Sequence, residues 1–436
     1  MKDKQNISCD LLIIGAGLAG MVAAARASSL GLTTVQAGNS SNLFLVSGLF
    51  DLLGVYPIDS GQPLSAPRTG FEKLKQDSPL HPYSKTGYET VLESFDFLKH
   101  FLASAGLDYQ SKRDANYSVL TAVGTFKPSF MVPKTFIKGC GINQGDKKVL
   151  FVDFTGLREF SAKQIANVYQ DTCSGAPISE STSTLTIEIP DLSGTLNPIQ
   201  LANLFEDDQF LKYVAKKIAP FSKRADMVGL PAVCGLNNSV ATLEKLEKMT
   251  GLDCFEIPGM PPSLPGLRLK NAFEKQLSQN NVTFLNNSKI QFQKVQNNQF
   301  VLNAATQNMN TRITTRGVIL ASGRFPGGGL HATRERITET LFNLLVYQPE
   351  KRNQWYHSNF FNPRGHAINQ AGLETDHIFR PVNQQKVPVS NTLYAVGSIL
   401  AHNDWVRLKS GSGVSCVSAF TAVNAFYASL GGDENV

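Results

Sequence analysis

Three glycines near the start of the chain have the spacing that lets backbone amides hold a phosphate. Gly15-x-Gly17-x-x-Gly20 follows the apolar run Cys9-Asp10-Leu11-Leu12-Ile13-Ile14 and opens an Ala-rich helical stretch from Leu18 to about Leu30, stopped at Gly31. In that context the first glycine permits a tight turn, the second lets backbone approach a pyrophosphate, and the third lets helix and strand pack closely. Leu18 and Ala19 lie in the helix's opening turn, where N–H groups and the helix dipole favour an anion. The fingerprint also asks for an acid about 20 residues further on, to bind ribose hydroxyls. Here that region reads Gln36-Ala37-Gly38-Asn39-Ser40. Gln36, Asn39 or Ser40 could bond a ribose instead. The alternatives are a cofactor without the adenosine half, namely FMN, or a site that binds nothing.

Later segments suit a flavin better than a nicotinamide. Ser47-Gly48 offers backbone to an isoalloxazine ring. Val318-Ile319-Leu320-Ala321-Ser322-Gly323 reads as an apolar strand ending in a small-residue turn beside the nucleotide. Asn391-Thr392-Leu393-Tyr394-Ala395-Val396-Gly397-Ser398 reads as a late strand meeting the ribityl-phosphate arm, with Ser398 where an Asp is usual. Gly411-Ser412-Gly413 opens a final helix whose amides would face the electron-rich pyrimidine edge. Cations and imidazoles cluster late, and Arg324, His331, Arg334 and His357 are the candidates for substrate chemistry. A bidentate Arg suits a phosphate or carboxylate, and alcohol oxidation needs a base near the reacting C–H bond. Arg324 is the best placed, between the turn at Gly323 and Gly327-Gly328-Gly329. Arg336, Arg364, His366, Arg380, His402 and Arg407 lie in the same stretch, whereas His81 and His100 read as structural. No metal-ligand spacing is present, and no metal is expected. The absence of a Gly-x-Ser-x-Gly elbow argues against α/β-hydrolase chemistry.

These residues need a scaffold, and 436 residues with 42% hydrophobic content supply enough for two or three domains. The expected class is α/β, a discontinuous Rossmann-like flavin-binding domain with a parallel sheet and a β-meander, carrying an inserted α/β substrate domain. The flavin-binding pieces are residues 1–57, 262–327 and 390–436. The inserted substrate or partner domain takes 58–261 and 328–389. Helices are expected at Tyr88–Ala105, Gln200–Ile218 and Leu267–Gln279, and strand–helix units at Lys148–Asp171 and Met227–Met249. The uncharged stretch from Val414 to Leu430 is broken by Ser415, Ser418, Thr421, Asn424 and Ser429, so it reads as a buried helix rather than a membrane span.

Lys and Arg exceed Asp and Glu by 41 to 35, a net charge of +6. The excess is thinly spread without interleaved aromatics, which argues against nucleic acid. It suits an anionic substrate or an anionic membrane surface. None of the six cysteines forms C-x-x-C, so no iron–sulfur cluster or structural zinc is expected on this chain alone. With no secretory signal pattern, the expected setting is cytoplasmic, with reduced thiols.

The chain resembles the B subunit family of bacterial anaerobic glycerol-3-phosphate dehydrogenase. The matching pieces are Ser47-Gly48-Leu49-Phe50-Asp51-Leu52-Leu53, His81-Pro82-Tyr83-Ser84, Pro261-Pro262-Ser263 with Gly266-Leu267-Arg268-Leu269, Leu320-Ala321-Ser322-Gly323 with Gly327-Gly328-Gly329-Leu330, and Ala395-Val396-Gly397-Ser398. The resemblance spans nearly the whole length. The missing ribose acid is shared by that family and favours FMN, with FAD as the alternative. The resemblance implies a complex with a larger FAD-containing catalytic subunit and a membrane-docking iron–sulfur subunit. That complex oxidises sn-glycerol 3-phosphate to dihydroxyacetone phosphate and passes electrons to quinone, in fumarate or nitrate respiration. It implies a cytoplasmic chain, peripheral on the inner face of the cytoplasmic membrane through its complex. Two alternatives stay open: a non-catalytic scaffold linking the other subunits, and a free-standing flavin oxidoreductase.

Overall fold

The computed structural model describes residues 3–144, 147–172, 182–190, 194–306 and 309–431. They pack as two compact units. The first comprises Met1–Asn42, Asp51–Phe101 and Phe273–Val436, and the second Leu43–Phe50 and Leu102–Ala272.

The first unit is organised by a seven-stranded sheet. Asp3–Ile14 lies between Thr34–Gly38 and Met309–Leu320, parallel to both. Thr283–Asn286 extends the parallel part beyond Thr34–Gly38. Leu11 to Ile14 are almost wholly buried, as an unbroken apolar run in a parallel sheet requires. On the other side Met309–Leu320 divides its pairing. Residues 310–315 pair antiparallel with Gln299–Ala305, which pairs antiparallel with Lys289–Gln296, giving the expected meander. Residues 318–320 pair parallel with Leu393–Ala395. One long strand thus carries the meander at one end and the nucleotide-side turn at the other.

Leu18–Ser29 is the crossover helix between the first two strands, as the βαβ pattern predicts. Gly411–Leu430 packs along it. Arg26 Nε donates to Asn424 Oδ1 at 2.7 Å, and a Cβ at Gly317 would lie 2.3 Å from the Phe426 ring. Among the described residues this is the one helix long and apolar enough to cross a membrane, yet most of its first three turns are buried within the unit.

The second unit holds a four-stranded parallel sheet in the order Asp253–Ile257, Met227–Pro231, Val149–Phe154, Thr182–Ile187. Phe151, Phe205, Phe255, Leu246 and Ile165 pack in its core. The single helix expected over Gln200–Ile218 is two, Pro198–Phe205 and Asp208–Ile218. Asp207 breaks it, because its carboxylate accepts the Gln209 amide at 2.6 Å and starts a new helix. Thr182–Ile187 carries too little apolar signal to be read from sequence, since Ser and Thr occupy most of this edge strand. Residues 58–101 and 328–389, expected with the inserted domain, pack instead in the first unit, while 43–50 and 262–272, expected with the flavin-binding pieces, pack in the second. The Gly329 amide donates to Arg324 O at 3.1 Å, and Leu373 bridges Leu400 in parallel.

Candidate functional site

The first strand ends at Gly15, where φ is +120°, and the Gly15 amide donates to Ala37 O at 2.8 Å. A Cβ at Gly15 would lie 2.1 Å from Ala321 O, and one at Gly20 would lie 2.0 Å from Gly15 O. Both glycines are therefore fixed by backbone meeting backbone. Gly17 differs, because a Cβ there meets nothing within 4 Å. It is the N-cap of Leu18–Ser29, with no side-chain cap bond and no acid in the first turn. The opening N–H groups of a helix have no acceptor within it. Here they border an open space that a side chain would fill, the geometry a nucleotide phosphate requires.

Two further strand ends meet this turn. The Ala321 amide donates to Ile14 O at 2.8 Å, and the Val396 amide to Leu320 O at 3.0 Å. A Cβ at Gly397 would lie 2.6 Å from that of Ala19, and one at Gly323 would lie 3.5 Å from Ser398 Oγ. Gly15, Gly17, Leu18, Ala19, Gly20, Ala321, Ser322, Gly323, Gly397 and Ser398 therefore form one locus. The Ser322 hydroxyl is buried there without a hydrogen-bond partner, an orphaned group of the kind a ligand or water satisfies. Gly327 and Gly329 lie tightly over it, since a Cβ at Gly329 would be 2.4 Å from Ser322 Oγ. Their spacing could have signalled this close cover.

At the end of the second strand Gln36 is turned inward, with Nε2 donating to Gly15 O at 3.2 Å, so it does not serve a ribose. Asn39 is exposed beside the turn. The Ser40 hydroxyl donates to Glu274 Oε1 from the helix Leu264–Gln279. A carboxylate thus stands at the end of the second strand after all, supplied from 234 residues away in sequence. No local spacing rule could find it.

The last helix start is different. The Gly413 amide donates to Asp51 O at 2.9 Å, and a Cβ at Gly413 would lie 2.0 Å from the Tyr83 hydroxyl. Gly413 is packed shut and offers no amide to a flavin, contrary to expectation. Gly411 and Ser412 are half-buried in the same turn. Behind them the buried His81 Nδ1 accepts the Tyr83 amide at 3.1 Å, leaving Nε2 to donate to Asn403 Oδ1 at 3.2 Å. Burial pushes the His81 imidazole down to about 3, so it is neutral at physiological pH. Asn403 Oδ1 also accepts from Ser410 Oγ at 3.2 Å, which ties this network to the N-cap. Ser47 and Gly48 lie in the second unit, where Gly48 O accepts from the Tyr109 hydroxyl at 2.8 Å and a Cβ at Gly48 would lie 2.6 Å from that of Pro265.

The four candidates for substrate chemistry are not brought together. Arg324 is buried, with Nη1 donating to Asn369 O and Nη2 to Leu400 O at 2.8 Å and Asn403 O at 3.0 Å. Burial pushes its guanidinium down to about 10, still charged at neutral pH. It clamps two loops rather than facing a substrate, because carbonyls at fixed positions take both terminal nitrogens. His331 is exposed on the strand Leu330–Ala332, with Arg334 exposed in the turn after it. His357 is exposed in a loop, its Nδ1 accepting the Asn359 amide at 3.1 Å.

The second unit contains a cleft of about 250 Å³, lined in part by Tyr109, Lys134, Thr135, Ser239 and Arg268. Arg268 forms a buried two-point pair with Glu256, at 2.7 and 2.9 Å, and Nε donates to Gly235 O at 2.9 Å. Burial pulls the guanidinium down, but Glu256 more than offsets it and the pKa is raised. Glu256 also accepts from Thr135 Oγ1 and the Cys234 amide, both at 2.7 Å, so it has four donors and no unmet need. The Gly266 and Arg268 positions of the family resemblance are thereby structural. A Cβ at Gly266 would lie 2.3 Å from Leu43 O.

Residues 10–414 match the FAD-binding domain family. The B subunit of an anaerobic glycerol-3-phosphate dehydrogenase from Vibrio vulnificus (strain YJ016) is 30% identical over 430 residues, 96% of each chain. The chain belongs to this B subunit family of flavin oxidoreductases. The B subunit from Vibrio cholerae (serotype O1, strain ATCC 39315) is 28% identical, again over 96% of each chain. Among solved structures, the 3-ketosteroid delta1-dehydrogenase of Sterolibacterium denitrificans is 12% identical, with 97% of this chain and 100% of that one covered and a TM-score of 0.44. The family match indicates a flavin cofactor, and its α/β Rossmann-like fold is the one observed. The open cradle at Gly17 and the orphaned Ser322 hydroxyl fit such a group.

Proposed function

We propose that this chain is a flavin-carrying subunit of an anaerobic respiratory glycerol-3-phosphate dehydrogenase. It acts with a larger FAD-containing catalytic subunit and a membrane-docking iron–sulfur subunit, oxidising sn-glycerol 3-phosphate to dihydroxyacetone phosphate with electrons passed to quinone. The observation that carries this reading is the open backbone cradle at Gly17, between two glycines that tolerate no side chain. When bound, the flavin would supply a two-electron redox centre, able to take hydride from the carbinol carbon or electrons from the larger subunit's flavin. The chain's own residues hold it. The amides at Leu18 and Ala19 would take its phosphate, Ser322 and Ser398 would offer hydroxyls, and Gly327 and Gly329 close over the turn at Ser322. The carboxylate of Glu274, bonded to Ser40 just past the second strand, supports FAD over FMN, because an acid at that strand end would hold the ribose hydroxyls of an adenosine half. Release of the bound cofactor and its mass analysis tests this directly. FAD is expected; a folded, colourless protein that takes up neither flavin overturns the reading.

A scaffold role is the second reading, favoured by the closed state of Gly413 and the clamped Arg324. Full quinone-linked activity of an assembled complex in which the Gly17→Val variant of this chain holds no flavin supports it over the first.

A further inference from the structure

The strongest surface anomaly in the first unit is the loop after the turn Arg352–Gln354. Phe360 is 73% exposed and Phe361 85%, the two most exposed large apolar residues described. Their rings meet edge to face, with centroids 5.1 Å apart. The loop does not hold them out by default. The Phe361 amide donates to Asn359 Oδ1 at 3.0 Å and the Arg364 amide to Asn362 Oδ1 at 2.8 Å, while the His357 amide donates to His366 Nδ1 at 3.0 Å. These side-chain-to-backbone bonds fix consecutive turns. The stem is anchored by Trp355, 1% exposed, whose carbonyl accepts the Ile368 amide at 3.1 Å. The apex is therefore preset with two phenyl rings in water, an arrangement that folding alone does not reward.

The flanks are cationic. Residues 349–366 contain Lys351, Arg352 and Arg364 against one acid, Glu350. Arg364 also pairs with Asp59 at 3.0 Å, and the Arg352 guanidinium lies 4.1 Å over the Trp355 ring. Two rings at the tip of a turn present far less surface than the roughly 800 Å² per partner of a stable protein interface. They suffice for an interfacial membrane contact, where apolar insertion acts together with attraction to anionic headgroups. We propose that this loop is a direct lipid-contact site: Phe360 and Phe361 insert at the surface of an anionic bilayer while Lys351 and Arg352 meet its headgroups. The proposal concerns this chain's own surface and does not depend on the flavin reading.

The test uses the purified full-length chain and vesicles of phosphatidylcholine, with and without phosphatidylglycerol, in a flotation assay. Binding is expected to the phosphatidylglycerol vesicles, weakening at high salt as exposed charges are screened. Phe360→Ala with Phe361→Ala should lower the partition coefficient at least about tenfold. Lys351→Gln with Arg352→Gln should lower it by a further roughly tenfold or more. Phe360→Trp with Phe361→Trp should retain binding and add a blue shift in fluorescence on mixing. The Phe variants should keep the wild-type melting temperature, since those side chains are exposed, and the Lys351/Arg352 variant should lose only the small contribution of Arg352 stacked on Trp355. Wild-type protein that ignores anionic vesicles overturns the proposal, as does binding unaffected by removing both rings. If vesicles are ignored while the double Ala variant loosens association with other subunits, the occupant is a protein and the lipid proposal fails.

Discussion

Two glycine-rich helix starts in the first unit, Gly15–Gly20 and Gly411–Gly413, look alike in sequence and differ in the fold. At the first, Gly17 opens on free space and the first-turn amides are unopposed. At the second, the Tyr83 hydroxyl fills the space beside Gly413, and Asp51 O takes its amide. Glycine spacing makes close backbone approach possible. It does not decide whether what approaches is a ligand or another part of the same chain.

Substitutions at the tight glycines sharpen this comparison most. Gly20→Ala and Gly413→Ala should each destabilise by about 3 kcal/mol or more in urea unfolding, because the added methyl meets backbone or a pinned hydroxyl. Only the second should be relieved by Tyr83→Phe, with a favourable coupling of roughly 1–2 kcal/mol in a double-mutant cycle. The Tyr83 hydroxyl donates to Leu52 O at 2.5 Å, so Tyr83→Phe alone should cost about 1 kcal/mol. No coupling would mean that the hydroxyl does not close the second helix start.

Acid should also separate the two regions. His81 backs the closed helix start, and its folded pKa of about 3 lies below the ordinary 6.5. Its contribution is therefore fully present above pH 6.5 and is lost as pH falls toward 3, on the order of a few kcal/mol. Replacing His81 with Gln, which can still bond Asn403, should flatten that slope in unfolding free energy measured from pH 7 to pH 4. An unchanged slope would place the acid sensitivity elsewhere.

Ligand affinity is the smaller but more specific test. Gly17→Ala should change stability by less than about 1 kcal/mol, since no atom lies within 4 Å of the new Cβ. It should nevertheless weaken flavin binding about tenfold or more, because the methyl occupies the phosphate's approach. A variant that binds flavin normally would show that the open start is open for no ligand. Glu274→Gln should weaken FAD by roughly tenfold or less and leave FMN unchanged, as read by quenching of flavin fluorescence. Equal loss for both would make Glu274 a support for Ser40 alone.

The helices and strands that build the nucleotide-side sheet were legible because their signals are local. Leu11 to Ile14 are apolar without interruption, Leu18–Ser29 is Ala-rich between glycines, and the meander hairpin turns at Asn297 and Asn298, both with positive φ. The substrate candidates were less legible. Arg324 has the type and position of an anion-reading residue, and only the fold reveals that three carbonyls already hold it. Glu274, Glu256 and Asn403 were invisible for the opposite reason: each acts on residues beyond the reach of any local pattern.

The sequence alone determined where backbone must come close, since a missing Cβ is a property of each residue and survives any context. It also determined the α/β character, through runs whose period needs no distant partner. Tertiary structure alone decided which close approach stays open, which arginine is taken by carbonyls, and where a carboxylate reaches the second strand. Those outcomes depend on atoms brought together by packing across hundreds of residues, and packing selects one neighbour for each group from many that the sequence would allow.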